Sequence, residues 1–550
     1  MQLDFSELFL CSDVNYVTDD APLSAILKYI GFTPDEDMVR LGRYISGSLI
    51  EAASYIDHYA RPVLASWGIM GNRMDSVWLS PEHRRLLQVL QNLGVVRKSI
   101  DNDNLLYHFV SGYMISDSGI FCTLTLTAQT AYALKKYGRS EVLRLFLKRY
   151  LDRDQPWYGA TYYSETQGGS DLGSNRTIAE ETGGEWRLNG HDKYFASNAG
   201  IADGAIVTAR ARGASSGAKG LSVFFVPAKR NDGTSNYAVR RLKEKLGTIS
   251  VPTGEVDMDD SEAFMLGEKE KGIYYAMEIL TISRIDDALA AAGIARKALW
   301  EAYRYSCRRK AFGRKIIEHP LLRRDFIELE SDLEASLMLS LVAAKHFSDS
   351  CRSEPPYDDD YHYARMLTHI AKNMASETGS FITRYAMEIV GGRGFLSEFP
   401  IEKFHRDELV TSIWEGSSNI QALDLLELLI KKKTHLQLYS RLEEMLEGWE
   451  DAGIRNALHE ALNQTRSMVE TMLNSPNPEF YGKDTLRALG EIAASFHLFD
   501  ASKAESGRIL GPLARVYIAR HILKERKLSL DFLGYSQSLE WMEGGNRNFS

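Results

Sequence analysis

Cysteine is scarce in this chain. There are four in 550 residues (Cys11, Cys122, Cys307, Cys351), scattered without metal-type spacing, and this suits a reducing cytosol. No apolar run reaches the roughly 18 residues a membrane helix needs. The opening stretch, MQLDFSELFLCSDVNYVTDD, is acidic and lacks the basic start of a signal or transit peptide. Bases are outnumbered, and the formal net charge of -9 argues against nucleic acid as the main partner while leaving room for a local patch. No G-x-G-x-x-G follows a strand to open a helix, so a Rossmann fingerprint is missing. There are no repeats and no low-complexity tracts. The expectation is a cytoplasmic protein with no membrane segment, too long for a single core and therefore multidomain.

What is there falls into four stretches. Residues 1–157 show helical apolar spacing, as in PEHRRLLQVLQNL. Residues 158–265 shift to glycine, serine, threonine and aromatics, with strand-like runs EWRLNG, GAIVTARA and GLSVFFVPA and the hairpin signal NDGTSN. Residues 266–433 return to helix, led by one long amphipathic segment from about Gly272, and Lys431 to Lys433 close the last helix. Residues 434–550 form a helical extension in which acids and bases roughly cancel. The fold class is α+β, mainly α: a helical N-terminal domain, a central β-barrel-like domain, a helical bundle and the extension.

Several short constellations could carry chemistry. The loop YYSETQGGSDLGSN (Tyr162 to Asn175) offers glycine flexibility beside Ser164, Ser170 and Asp171, and reads either as a phosphate or ring-edge cradle or as a surface turn. KYFASNAG places Phe195 two residues from Ser197, an aromatic face beside a hydroxyl, as a planar cofactor needs; a core aromatic at a strand end fits equally. RRKAFGRKIIEHP sets Arg309 near Phe312, suited to phosphate and purine, or simply to a helix C-terminus. EIVGGRGFLSEFP supplies Gly391 and Gly392, where backbone can approach a ligand or merely turn. Finally SIWEGSSNIQALDLLE puts Glu415 between Trp414 and Gly416 at the mouth of a helix. Such an acid either complements the helix dipole or serves as a base whose pKa rises in apolar surroundings.

Taken in order, these motifs resemble the acyl-CoA dehydrogenase family of flavoproteins from about Trp157 to Lys433. ETQGGSDLGSN, RRLKEKLGTIS, WEGSSNIQALDLLE and the extension are similar to its AidB branch. The resemblance implies one FAD per subunit of a homotetramer. Thr161, Tyr163, Ser164 and Ser170 would contact the flavin nucleotide, with Phe195 and Ser197 against the ring. Arg309 and Phe312 would reach the pyrophosphate and adenine of a neighbouring subunit's FAD. Gly391 and Gly392, together with Ile413, Trp414, Gly416, Ser417 and Asn419, would complete the cofactor site. Ser170, Arg284 and Gly416 would face substrate.

Glu415 aligns with the family's base, which removes the α-proton of a fatty acyl-CoA while a β-hydride leaves for flavin N5, giving the trans-2-enoyl-CoA. Other members keep that base beside an arginine on an earlier helix, but here the place is Ser283, next to Arg284, and serine cannot act so. Electrons would pass to an electron-transfer flavoprotein. One departure is Glu388, where most members carry glutamine before the Gly-Gly. The AidB branch is associated with DNA through its C-terminal region and with the alkylation response. Here that region has basic clusters only at Lys431 to Lys433 and in RHILKERK (Arg520 to Lys527), so DNA binding is not favoured.

Overall fold

The computed structural model describes residues 5–525 and 527–544, leaving Arg526 of the RHILKERK cluster outside the described residues. The chain folds into two compact units. One takes Glu51–His108 and Asp117–Ser283; the other takes Phe109–Ser116 with the chain before Glu51 and from Arg284 onward.

The first unit holds the β structure. Strands β1 (Val63–Trp67) and β2 (Arg73–Trp78) pair antiparallel as a hairpin. They depart from the all-helical reading of residues 1–157. Gly68 and Gly71 close the turn, and the hairpin is anchored within its unit rather than on a helix: the Val77 amide donates to the Gly200 carbonyl at 3.0 Å, and the Val239 amide to Asp75 Oδ2 at 3.1 Å. The central strands are β3 (Gly159–Tyr162), β4 (Ile178–Thr182), β5 (Glu185–Ser197), β6 (Gly204–Ala211), β7 (Leu221–Pro227), β8 (Ala238–Leu242) and β9 (Thr253–Leu266). Their order is β3-β6-β4-β5-β9-β7, with β8 on β9, and β7 pairing back to β6 closes the sheet into a barrel. Closure explains the near-continuous apolar character of β6 and β7, which are buried on both faces. Ala160, Tyr162, Val207, Phe224, Val256 and Met258 share the resulting core.

The second unit is helical. Helices Pro320–Ser350 and Asp359–Val390 follow one another across a short connection and pack together. From the helix Gly272–Arg308, the buried Arg296 reaches Glu330 at 2.7 Å, Asp20 at 3.3 Å and also Glu334, tying three segments at one guanidinium. The extension is not a separate appendage. Its helix Gly482–Ser502 packs against Pro320–Ser350, Asp359–Val390 and Ser418–Lys432, with Leu489, Ile492 and Phe496 fully buried. No helix among the described residues is long and apolar enough to cross a membrane.

Candidate active site: a strand end, a hairpin tip and a pinned acidic loop

In the β unit, the loop after β3 is fixed by one buried ion pair. Glu165 meets Lys193 Nζ at 3.0 Å, with both side chains fully buried. The same carboxylate accepts from the Arg176 amide (2.6 Å), the Thr177 amide (3.2 Å) and Thr177 Oγ1 (2.7 Å), while Lys193 also donates to the Thr208 carbonyl at 3.0 Å. Burial opposes the Glu165 charge, but Lys193 and these donors outweigh it and hold its pKa below the usual range. Burial likewise pushes Lys193 down, against the pull of Glu165. Thr161 lies in β3, Tyr163 is buried behind it, Ser164 is partly buried, and Ser170 is exposed at the loop's far end. Gly169 leaves room for Ser164, since a Cβ there would stand 2.2 Å from its Oγ.

The end of β5 is held as firmly. Asn198, in the left-handed region at φ 60°, donates to the Gly159 carbonyl at 2.8 Å and the Thr123 carbonyl at 3.2 Å. That anchor leaves Phe195 57% exposed, with Lys243 Nζ 4.8 Å from its ring centre, and Ser197 Oγ 3.3 Å from Thr253 Oγ1. An exposed aromatic on an immobile strand end, beside a hydroxyl, fits a planar heteroaromatic ring.

In the helical unit, the Gly272–Arg308 helix runs into a tight hairpin whose turn is Phe312 (φ 52°) and Gly313 (φ 82°). Two consecutive left-handed residues are the primed turn that suits a two-residue hairpin. It thrusts Phe312 into solvent, 95% exposed, with Arg309 exposed at the hairpin base. Phe312 therefore contributes nothing to a core, and its ring meets only the edge contact of His319 at 6.1 Å among the ring pairs described. Gly391 (φ 74°) ends the helix Asp359–Val390, with Gly392 beside it, both exposed. Glu388 is paired with Arg384 at 3.0 Å, so its charge is compensated within the helix.

The loop around Glu415 is held by several side chains. Glu415 itself adopts φ 55° and Gly416 φ 97°. A left-handed glutamate is strained and persists only where its surroundings over-determine it. The surroundings are these: Arg284 Nε donates to the Glu415 carbonyl at 2.9 Å, and Gln421 Nε2 donates to the same carbonyl (3.0 Å) and to that of Gly416 (2.8 Å). Lys372 Nζ donates to the Gly416 carbonyl at 2.9 Å and lies 3.4 Å from Asp287 Oδ2, while the Trp414 indole N–H donates to Asp287 Oδ1. Asp424 pairs with Arg284 Nη1 at 2.9 Å, and His369 Nδ1 donates to Gln421 Oε1 at 2.8 Å. Burial lowers His369 to about 3, so it is a neutral member of this network. Burial raises Asp287 well above the carboxylate range, against Lys372 and the indole, and the Glu415 charge adds to the rise. Ile413 is 68% exposed, and Ser417 and Asn419 are exposed at the start of helix Ser418–Lys432. At the alternative position, Ser283 Oγ donates to the Leu280 carbonyl one turn back.

Glu165, Lys193, Asp287, Lys372, His369, Gln421 and Asp424 escape sequence reading. Glu165 sits in the loop after β3 and the others within a helix or strand, and local pattern gives them no special status. Only Lys193 carried a faint signal, a lysine one residue from the strand's aromatics.

The β unit presents an exposed aromatic strand end, and the helical unit presents an acid on a pinned loop. Family models described as "Acyl-CoA dehydrogenase, middle domain" and "Acyl-CoA dehydrogenase, C-terminal domain" match residues 160–261 and 270–430. A cyclohexane-1-carbonyl-CoA dehydrogenase of Geobacter metallireducens is 30% identical over 56% of this chain and 77% of its own. The putative acyl-CoA dehydrogenase AidB of Escherichia coli is 27% identical over 83% of this chain and 85% of its own. The crystal structure of Caenorhabditis elegans ACDH-11 in complex with C11-CoA shares the fold at a TM-score of 0.80 and 22% identity, covering 94% of this chain and 93% of that one. The chain belongs to the acyl-CoA dehydrogenase family, whose members are FAD-dependent oxidoreductases.

Proposed function

We propose that this protein oxidises a fatty acyl-CoA to its trans-2-enoyl-CoA, with Glu415 as the base that takes the α-proton. The observation that carries this reading is the left-handed Glu415, held by donors to its own carbonyl and the next. A mere helix-dipole acid needs no such restraint. Phe195 and Ser197 would line the flavin ring, with Thr161, Tyr163, Ser164 and Ser170 along the loop. Gly391, Gly392, Ile413, Trp414, Ser417 and Asn419 would serve the remaining cofactor contacts. Arg309 and Phe312 would hold the nucleotide of a neighbouring copy, making the homotetramer part of the site. FAD, when bound, supplies the acceptor for the β-hydrogen. The protein's part is to place Glu415 at the α-carbon, to polarise the thioester through the Glu415 backbone N–H, and to exclude water. Arg284 and Gln421 set that geometry through the Glu415 carbonyl, and Ser170, Arg284 and Gly416 would face substrate. The protein is cytoplasmic in this reading, and an electron-transfer flavoprotein is the acceptor.

Glu415→Gln keeps the shape and removes the proton acceptor. FAD content and acyl-CoA affinity stay near wild type, and anaerobic flavin reduction in stopped flow slows by at least ~10²-fold. Equal rates would leave Glu415 a helix acid, worth roughly 0.3–1 kcal/mol of stability. A flavin oxidase would instead release hydrogen peroxide in step with turnover.

A second reading, an AidB-like DNA-associated role with residual dehydrogenase activity, is favoured only by the similarity to AidB. Some basic residues of the extension are ion-paired: Arg515 with Asp451, Arg520 with Asp332, Arg466 with Glu443. With these pairs and a formal net charge of -9, duplex DNA affinity is expected to be weak at physiological salt. A tight affinity falling steeply with salt, about -0.9 in log-log slope per neutralised phosphate, would promote this reading.

A further inference from the structure

The Trp414–Gly416 segment is gripped on both sides by one buried pair, and the flavin chemistry itself makes no use of that pair. Asp287 and Lys372 are 2% and 1% exposed. They project from different helices, Gly272–Arg308 and Asp359–Val390. One Asp287 oxygen accepts the Trp414 indole N–H; the other faces Lys372 at 3.4 Å; and Lys372 donates onward to the Gly416 carbonyl at 2.9 Å. The residue between those two attachment points is Glu415, in a conformation that glutamate rarely adopts.

We propose that Asp287 and Lys372 are positioning residues for Glu415: together they clamp Trp414 and Gly416 and so hold the left-handed backbone of the residue between them. This rests on the reading of Glu415 as base. Burial favours the neutral form of Asp287, so the clamp acts through its contacts with the Trp414 indole and Lys372. The other groups facing the pair are Arg284 from the same helix as Asp287, His369 from that of Lys372, Asp424 from Ser418–Lys432 and Glu408 from Pro400–Glu408. Arg284 and Asp424 pair with one another, burial keeps His369 neutral, and burial pushes Glu408 up to about 7.

The test uses Asp287→Asn, Lys372→Met and the charge-neutral double variant, which guards against one unpaired buried charge unfolding the protein. The full chain carries 5-fluorotryptophan, and the Trp414 resonance is assigned by Trp414→Phe. In FAD-free protein, Asp287→Asn moves that fluorine resonance. In the holoenzyme, FAD content is unchanged and flavin reduction by a fatty acyl-CoA slows about 10-fold or more, since small misplacements of a reacting group cost up to 10²-fold. The acid limb of its pH–rate profile stays in place, because a neutral amide replaces a carboxyl that burial keeps neutral. Lys372→Met moves that limb upward, because a nearby cation is gone, a shift that loss of packing alone does not produce. Wild-type rates in both single variants overturn the proposal, as does an unmoved fluorine resonance in Asp287→Asn. In a Glu415→Gln background, Asp287→Asn causes no further slowing; a full additional loss also overturns it. If Glu415→Gln alone is as fast as wild type, the base reading fails, whereas a moved fluorine resonance still upholds the clamp.

Discussion

Arg284 holds the Glu415 carbonyl from Nε at 2.9 Å while its Nη1 rests 2.9 Å from Asp424. Those two bonds need the fixed fork of a guanidinium. Arg284→Lys keeps the charge and loses the fork, so only one contact survives. Losing a charged donor to a buried carbonyl costs about 1.5–3 kcal/mol. Anaerobic flavin reduction is expected to fall by roughly 10- to 100-fold, with acyl-CoA affinity less affected. Unaltered kinetics would show that the loop is held without Arg284.

Lys193→Met leaves Glu165 buried without its cation, with an expected loss of about 3–5 kcal/mol. Glu165→Gln combined with Lys193→Met removes both charges and recovers much of that. Denaturant unfolding of FAD-free protein measures both variants. FAD affinity should fall in the single variant as the Thr161–Ser170 loop loses its anchor.

Phe312→Ala touches no core, as its ring is almost fully exposed. The free subunit therefore keeps its stability, to within about 0.5 kcal/mol. FAD retention through gel filtration should nonetheless drop, and Arg309→Ala should release FAD and weaken the assembly together. Full FAD occupancy in both variants would rule out a nucleotide shared between copies.

His521 gives a pH signature remote from the flavin residues. Burial opposes its charge, but the hydrogen bond to Asp332 (2.8 Å) and the nearby Glu491 (3.7 Å) raise it to about 9. The folded pKa lies above the unfolded value of ~6.5. Its stabilisation is therefore fully present below about pH 6.5 and lost as pH rises through 9. Melting temperature followed from pH 6 to 9.5 should fall more in wild type than in His521→Gln. Parallel curves would mean that His521 carries no charge at neutral pH.

The sequence by itself determined the architecture, and the flavin contacts were proposed from its motifs. Glycine-rich turns, the apolar runs of β6 and β7 and the long helical periodicity are local signals, and local signals survive in one dimension. The order of motifs from ETQGGSDLGSN to WEGSS was enough to place the family. The hairpin Val63–Trp78 was lost inside a stretch read as helical, because its anchors, Gly200 and Val239, are more than a hundred residues away in the chain. Balanced charge in the extension says nothing about which helices the buried face of Gly482–Ser502 meets. Glu415 was visible as an acid at a helix mouth; that its backbone is left-handed was not. That conformation is enforced by Arg284, Lys372 and Gln421, and only tertiary packing brings three helices' side chains to two consecutive carbonyls. A lysine or aspartate in a helix carries no mark of burial in the sequence; its role is fixed by what it meets across the fold.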